Sequence, residues 1–182
     1  MSKVYAFFAT GYEEVEALTV VDLLRRAAVE VNMVSMTGED YIVGSHGISI
    51  NMDSKFDDND YSDGAVFFLP GGMPGTTNLL AHQGLCKLLV EKCGEGKRLA
   101  AVCAAPSVFG QLGLLQGKKA TSYPGFEDKL TGAEYSLDSV VTDGNITTSR
   151  GMGTSIDLGL ELISLLCDKE TAMSIGKGII YK

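Results

Sequence analysis

A three-layer α/β sandwich on a mainly parallel sheet is the fold this sequence predicts, and three observations predict it. Apolar runs such as Ala65-Val-Phe-Phe-Leu69 do not alternate with polar residues, as expected of strands buried on both faces. These runs take turns with segments of helical spacing, the order that gives parallel strands joined by crossover helices. Finally, 182 residues with 45% hydrophobic and 21% charged content can bury one full core, so residues 1–182 read as a single domain.

Each element follows from its own pattern. Residues 3 to 10 form the first apolar run and stop at Thr10-Gly11; Glu13 to Ala28 then reads as helix and Val31 to Met36 as strand, a β-α-β opening. Tyr41 to Asn51 alternates around Gly44 and Gly47, which predicts a hairpin. Lys55 to Asp63 is polar and turn-rich, and it leads into the strand 65–69 that Pro70-Gly-Gly72 cuts off. A helix around Leu79 to Lys92, a strand at Leu99 to Val102, a helix from about Ala105 to Leu112 and a strand at Lys119 to Thr121 come next. Ser139 to Thr142 and Ile146 to Ser149 make a second hairpin around Asp143-Gly144, and Ser155 to Leu166 is the closing helix.

The composition excludes some functions. A formal charge of -8 without a basic run would repel a polyphosphate backbone, so nucleic acid is not an expected partner. The first residues carry too short an apolar stretch for a signal peptide and no run nears bilayer-spanning length, so a cytoplasmic protein without a membrane partner is expected. Four cysteines without C-x-x-C spacing, beside only two histidines, offer little to zinc or haem, and they read as free thiols with no metal or other cofactor.

In a parallel sheet the ligand crevice lies at the carboxyl ends of the strands, where the loops 10–16, 70–77 and 103–107 should converge. Cys103 ends an apolar run, and Ala104-Ala-Pro106 opens the next segment: a thiol at a strand-turn-helix corner. The unpaired amides of a helix start favour a thiolate there, although a free cysteine is commonly just a small buried hydrophobe. Glu13, Glu14 and Glu16 crowd the first turn of an apolar helix, where any of them could simply cap it. A partly desolvated one would hold a proton near neutral pH and share it with the thiol, and periodicity does not choose between Glu13 and Glu16.

Leu69-Pro-Gly-Gly-Met-Pro-Gly75 packs three glycines and two prolines into seven residues. It reads either as a tight turn or as an oxyanion-binding loop whose Gly71 and Gly72 amides join that of Ala104. Tyr123 either donates its phenol to this crevice or is an ordinary partly buried aromatic. His46, between two glycines of the first hairpin, reads as a surface or interface residue rather than a base.

Gly11-Tyr-Glu-Glu-Val-Glu-Ala17, Leu69-Pro-Gly-Gly72, Ala101-Val-Cys-Ala-Ala-Pro106 and Thr148-Ser-Arg-Gly-Met-Gly-Thr-Ser155 together resemble the DJ-1 clade of the ThiJ/PfpI superfamily, almost end to end. The resemblance implies a flavodoxin-like α/β/α sandwich with a cysteine nucleophile elbow and a homodimer. It implies Cys103 as nucleophile, Glu16 as the acid bonded to it, Gly72 and Ala104 as oxyanion donors, and His46 and Arg150 at or near the dimer interface. Implied activities are cofactor-free conversion of methylglyoxal to lactate, repair of glycated groups, and oxidation of the cysteine to a sulfinate that acts as a stress sensor. Several members carry histidine where this chain has Tyr123, so a Cys-His pair is missing. The peptidase branch has histidine directly after the cysteine, whereas Ala104 stands here, so peptidase activity is not expected. The expected function is a slow 2-oxoaldehyde enzyme, with a redox sensor of little or no turnover as the alternative.

Overall fold

The apolar runs assemble into a seven-stranded sheet in a computed structural model that describes residues 3–181. Met1, Ser2 and Lys182, the ends of the predicted 1–182 domain, lie outside the described residues. In chain order the elements are β1 (Lys3–Phe8), α1 (Glu14–Arg26), β2 (Glu30–Ser35), β3 (Tyr41–Val43), β4 (Ser49–Asn51), β5 (Ser54–Lys55), β6 (Gly64–Leu69), α2 (Gly75–Ala81), α3 (Gln83–Gly94), β7 (Arg98–Val102), α4 (Pro106–Gln111), β8 (Lys119–Ala120), β9 (Glu134–Tyr135), β10 (Val140–Asp143), β11 (Ile146–Ser149), α5 (Ser155–Leu166) and α6 (Lys169–Gly178). The sheet runs β10-β11-β7-β6-β1-β2-β5, parallel throughout except for the antiparallel β10–β11 hairpin. The flavodoxin-like sandwich is the observed fold.

Alternation along β1 shows how the two faces are filled. Val4, Ala6 and Phe8 join one core with Val20, Leu24, Leu158 and Leu162 of α1 and α5. Tyr5 and Phe7 join the other with Leu79, Leu85, Leu89 and Val108 of α2, α3 and α4. Phe7, Phe8, Phe67 and Phe68 are fully buried, and each contributes roughly 2–3 kcal/mol of burial free energy. The strand ends that carry the site are thereby anchored in a rigid centre.

Some elements differ from the sequence expectation. The single helix around Leu79 to Lys92 is two helices, α2 and α3, separated by His82 in extended conformation (φ -81°, ψ 96°). Its Nδ1 accepts the Leu85 N–H at 3.0 Å and caps α3. The leucines run on across this break, so periodicity does not reveal it. The strand at Lys119 to Thr121 is only Lys119–Ala120, and it pairs with the unforeseen β9 in a separate two-stranded ribbon. Helix α6 was also unforeseen; Asp168 caps it by accepting the Thr171 N–H at 2.7 Å. No helix among the described residues is long and apolar enough to cross a membrane.

Candidate active site

β7 ends at Val102 and the chain turns sharply through Cys103, which takes φ +63° before Pro106 opens α4. A side chain in the left-handed region costs about 1–2 kcal/mol and needs the surroundings to enforce it. Here the Cys103 N–H donates to the Ser149 carbonyl at 3.0 Å, and the Cys103 carbonyl accepts the Tyr123 N–H at 2.8 Å. β11 on one side and the segment after β8 on the other clamp the corner, which holds the thiol at the carboxyl edge of the sheet.

The three loops do converge. The Gly71 carbonyl accepts the Glu13 N–H at 2.9 Å, the Gly11 carbonyl accepts the Gly75 N–H at 3.1 Å, and the Gly71 N–H donates to Glu16 Oε2 at 3.1 Å. Glu16, in the first turn of α1, is 1% exposed and hydrogen-bonded to the Cys103 thiol. The choice that periodicity left open falls on Glu16. Glu13 instead faces the β3–β4 turn, where Ser45 Oγ lies 3.2 Å from its Oε2.

Gly71 threads between the Glu16 carboxyl and the Cys103 side chain. A methyl added there would lie 2.5 Å from Glu16 Oε2 and 2.6 Å from Cys103 Cβ, so one of them must move. Gly71→Ala is expected to destabilise the protein by about 1–3 kcal/mol through overpacking and to cut kcat/KM about 100-fold by misplacing the pair. Thermal melting and steady-state kinetics check it.

Burial raises both partners. Glu16 is pushed up to about 7, first by burial and then by the charge of Glu13, against the hydrogen bonds from Cys103 and Gly71 that favour its ionised form. Cys103 is pushed up to about 12 by burial and by the adjacent carboxylate, although the amides of Ala104 and Gly72 bond the sulfur and pull the other way. The thiolate expected from the helix start is therefore corrected: α4 has only six residues, and burial beside an anion outweighs its amides. The Gly71 amide is also corrected, because it is engaged by Glu16 while Gly72 and Ala104 face the sulfur.

The remaining predicted residues are Tyr123, Arg150 and His46. Tyr123 is 52% exposed, so the partly buried reading overstated its burial. Its ring packs near Gly151, and a methyl on Gly151 would lie 3.3 Å from the ring and 3.9 Å from Glu16 Oε1. Tyr123, Pro124, Arg150, Gly151 and Met152 line an open cavity of about 350 Å³. Of this rim the sequence pointed to Tyr123 as a pocket residue and to Arg150 only as an interface residue; Pro124, Gly151 and Met152 were not picked out, although Gly151-Met152-Gly153 lies within one of the motifs. Arg150 Nη1 donates to the Leu137 carbonyl at 3.1 Å. His46 Nδ1 lies 2.9 Å from Glu14 Oε2, and that carboxylate holds the imidazole's pKa above its usual value.

Known proteins share this architecture. The family model described as DJ-1/PfpI family matches residues 2–165. The "Parkinson disease protein 7 homolog" of Danio rerio is 33% identical over 96% of this chain and 94% of its own length. The "Deglycase PH1704" of Pyrococcus horikoshii is 31% identical over 81% of this chain and 89% of its own. "Protein DJ-1 homolog B" of Arabidopsis thaliana is 36% identical over 99% of this chain, which spans only 42% of that relative's length. Among solved structures, "Toxoplasma gondii DJ-1, oxidized" superposes with a TM-score of 0.95 at 33% identity, over 100% of this chain and 99% of its own. On the family match, the full-length likeness and the shared sandwich, the chain belongs to the DJ-1/PfpI family, in its DJ-1 branch.

Proposed function

We propose that this protein is a cofactor-independent thiol enzyme that converts 2-oxoaldehydes such as methylglyoxal to 2-hydroxy acids, without glutathione. One observation carries the reading: a buried carboxyl that titrates near neutrality is hydrogen-bonded to a thiol held in a strained turn, with two backbone amides at the sulfur. The deglycase name of the Pyrococcus relative supports chemistry on sugar- or aldehyde-derived carbonyl adducts.

Ionised Glu16 takes the Cys103 proton as sulfur attacks the aldehyde carbon, and the Gly72 and Ala104 amides receive the developing oxyanion. That oxyanion takes the proton back, giving a hemithioacetal. Glu16 then removes the C1 hydrogen and passes it to the C2 oxygen, giving an enediol; it next takes the C1 hydroxyl proton as the C1 carbonyl forms and delivers a proton to C2. The aldehyde carbon is thereby oxidised, the ketone carbon is reduced, and a lactoyl thioester stands on sulfur. Water cleaves the thioester, releasing lactate and restoring the thiol. A single carboxyl does all the proton transfer because Tyr123 offers no imidazole, so turnover is slow.

Deuterium incorporation tests this route. Lactate formed in D2O should carry deuterium at C2, because Glu16 exchanges its proton with solvent before returning it. Deuterium at C2 would exclude direct hydride transfer, which carries the C1 hydrogen to C2 without exchange.

The amides at Cys103 would equally stabilise a sulfinate, and the Toxoplasma structure is described as oxidized, so redox sensing in oxidative stress is the second reading. Peroxide titration with intact-mass readout separates them: a saturating gain of two oxygens at low dose, without aldehyde turnover, selects the sensor. Family likeness also supports a homodimer with His46 and Arg150 near its interface, and a cytoplasmic setting belongs to the same proposal.

A further inference from the structure

Glu13, Glu14, Ser45 and His46 bring four donor atoms together outside the thiol site. The two glutamates stand at the start of α1, and Ser45 and His46 lie in the β3–β4 turn, which is pinned to it by the Ser45 N–H donating to the Tyr12 carbonyl at 2.8 Å. His46 Nδ1 lies 2.9 Å from Glu14 Oε2 and 3.6 Å from Glu13 Oε2. Ser45 Oγ lies 3.2 Å from each of those oxygens and 3.1 Å from Nδ1. Five of the six spacings among these four atoms thus lie between 2.9 and 3.6 Å, around the separation of about 3.3 Å between neighbouring ligands held about 2.0 Å from a tetrahedral Zn2+.

The charge around these atoms is unbalanced. The Glu14 side chain is 4% exposed and that of Glu13 16%, yet among the described residues neither carboxylate pairs with lysine or arginine. The His46 N–H donates to Glu14 Oε1 at 2.7 Å, which fixes the carboxylate and turns Oε2 toward the cluster. Gly44 leaves room for it, since a methyl there would fall on the Glu14 carboxylate. The fully buried Tyr12 hydroxyl, one residue before Glu13, has no hydrogen-bond partner among the described residues.

We propose that Glu13, Glu14 and His46 form a binding site for a divalent transition-metal cation such as Zn2+, with Ser45 Oγ or a water completing the tetrahedron. The ligand atoms of the three residues all lie within 4.8 Å of one another. One imidazole and two carboxylates suit Zn2+ or Co2+ better than Mg2+ or Ca2+, which prefer all-oxygen shells of higher coordination. The count of histidines and cysteines argued against a metal centre; it left out the two carboxylates that only the folded hairpin brings to His46.

Cobalt titration of the chelator-stripped full chain, with its thiols reduced, tests the site. The expected result is one equivalent per chain, with visible bands of tetrahedral intensity, no thiolate-to-cobalt charge-transfer band, and displacement by Zn2+. His46→Ala, at an exposed position, and Glu13→Gln should each weaken binding by about 100-fold or more, beyond the effect of losing a supporting hydrogen bond. Cys103→Ser should leave binding unchanged. No saturable binding, a charge-transfer band that disappears in Cys103→Ser, or undiminished affinity in both His46→Ala and Glu13→Gln would overturn the proposal.

Discussion

Replacing Cys103 by serine is expected to lower lactate formation from methylglyoxal at least about a thousandfold, with little change in melting temperature. The two effects separate because they rest on different atoms. The left-handed corner is held by backbone bonds to Ser149 and Tyr123, which serine keeps, so the fold and the position of Oγ survive. Serine lacks an ionisable thiol. A carboxylate whose conjugate acid titrates near 7 is far too weak a base for an alcohol without a histidine relay. Activity above about a tenth of wild type in Cys103→Ser would place the nucleophile elsewhere.

Glu16→Gln is expected to cost about 10²–10⁴ in kcat/KM and to remove the acid limb of the pH profile, which in the wild type should fall below about pH 7 as Glu16 becomes protonated. The same variant should be more stable than wild type at pH 8. Glu16 is raised on folding from 4.5 to about 7, so its favourable contribution is fully present below 4.5 and is lost as pH rises through 7. Above that, an ionised carboxylate that is 1% exposed costs up to about 3 kcal/mol, and an uncharged amide does not carry that cost. The glutamine oxygen can still accept the Gly71 N–H. Denaturant unfolding at pH 5 and pH 8 checks the sign: the gain should be present at pH 8 and small at pH 5. A glutamine variant equally stable at both values would mean that Glu16 is not held protonated by its burial.

What the sequence made legible follows from how local each signal is. An apolar run ending in Cys103 with Pro106 three residues on is a local pattern, and it marked the elbow. The glycines after β6 marked the loop facing it. Assigning Glu16 rather than Glu13 needed the family likeness, because both stand at the start of α1, Glu13 just before its first residue and Glu16 in its first turn, and the hydrogen bonds to Gly71 and Cys103 that single out Glu16 come from loops distant in the chain. The thiol's pKa went the wrong way for the same reason: a helix start is visible in sequence, whereas burial beside Glu16 is set by three loops distant in the chain. The break at His82 hides under unbroken leucine spacing. The Glu14 and His46 contact spans 32 positions, so neither neighbourhood alone announces it.

Lactate measured enzymatically from methylglyoxal and fully reduced wild-type protein, with no glutathione present, tests the thiol–carboxyl account most directly. Lactate produced over many turnovers, with a rate that rises as pH passes through about 7, is the predicted result. No lactate above the uncatalysed background from protein with its Cys103 thiol intact would contradict it.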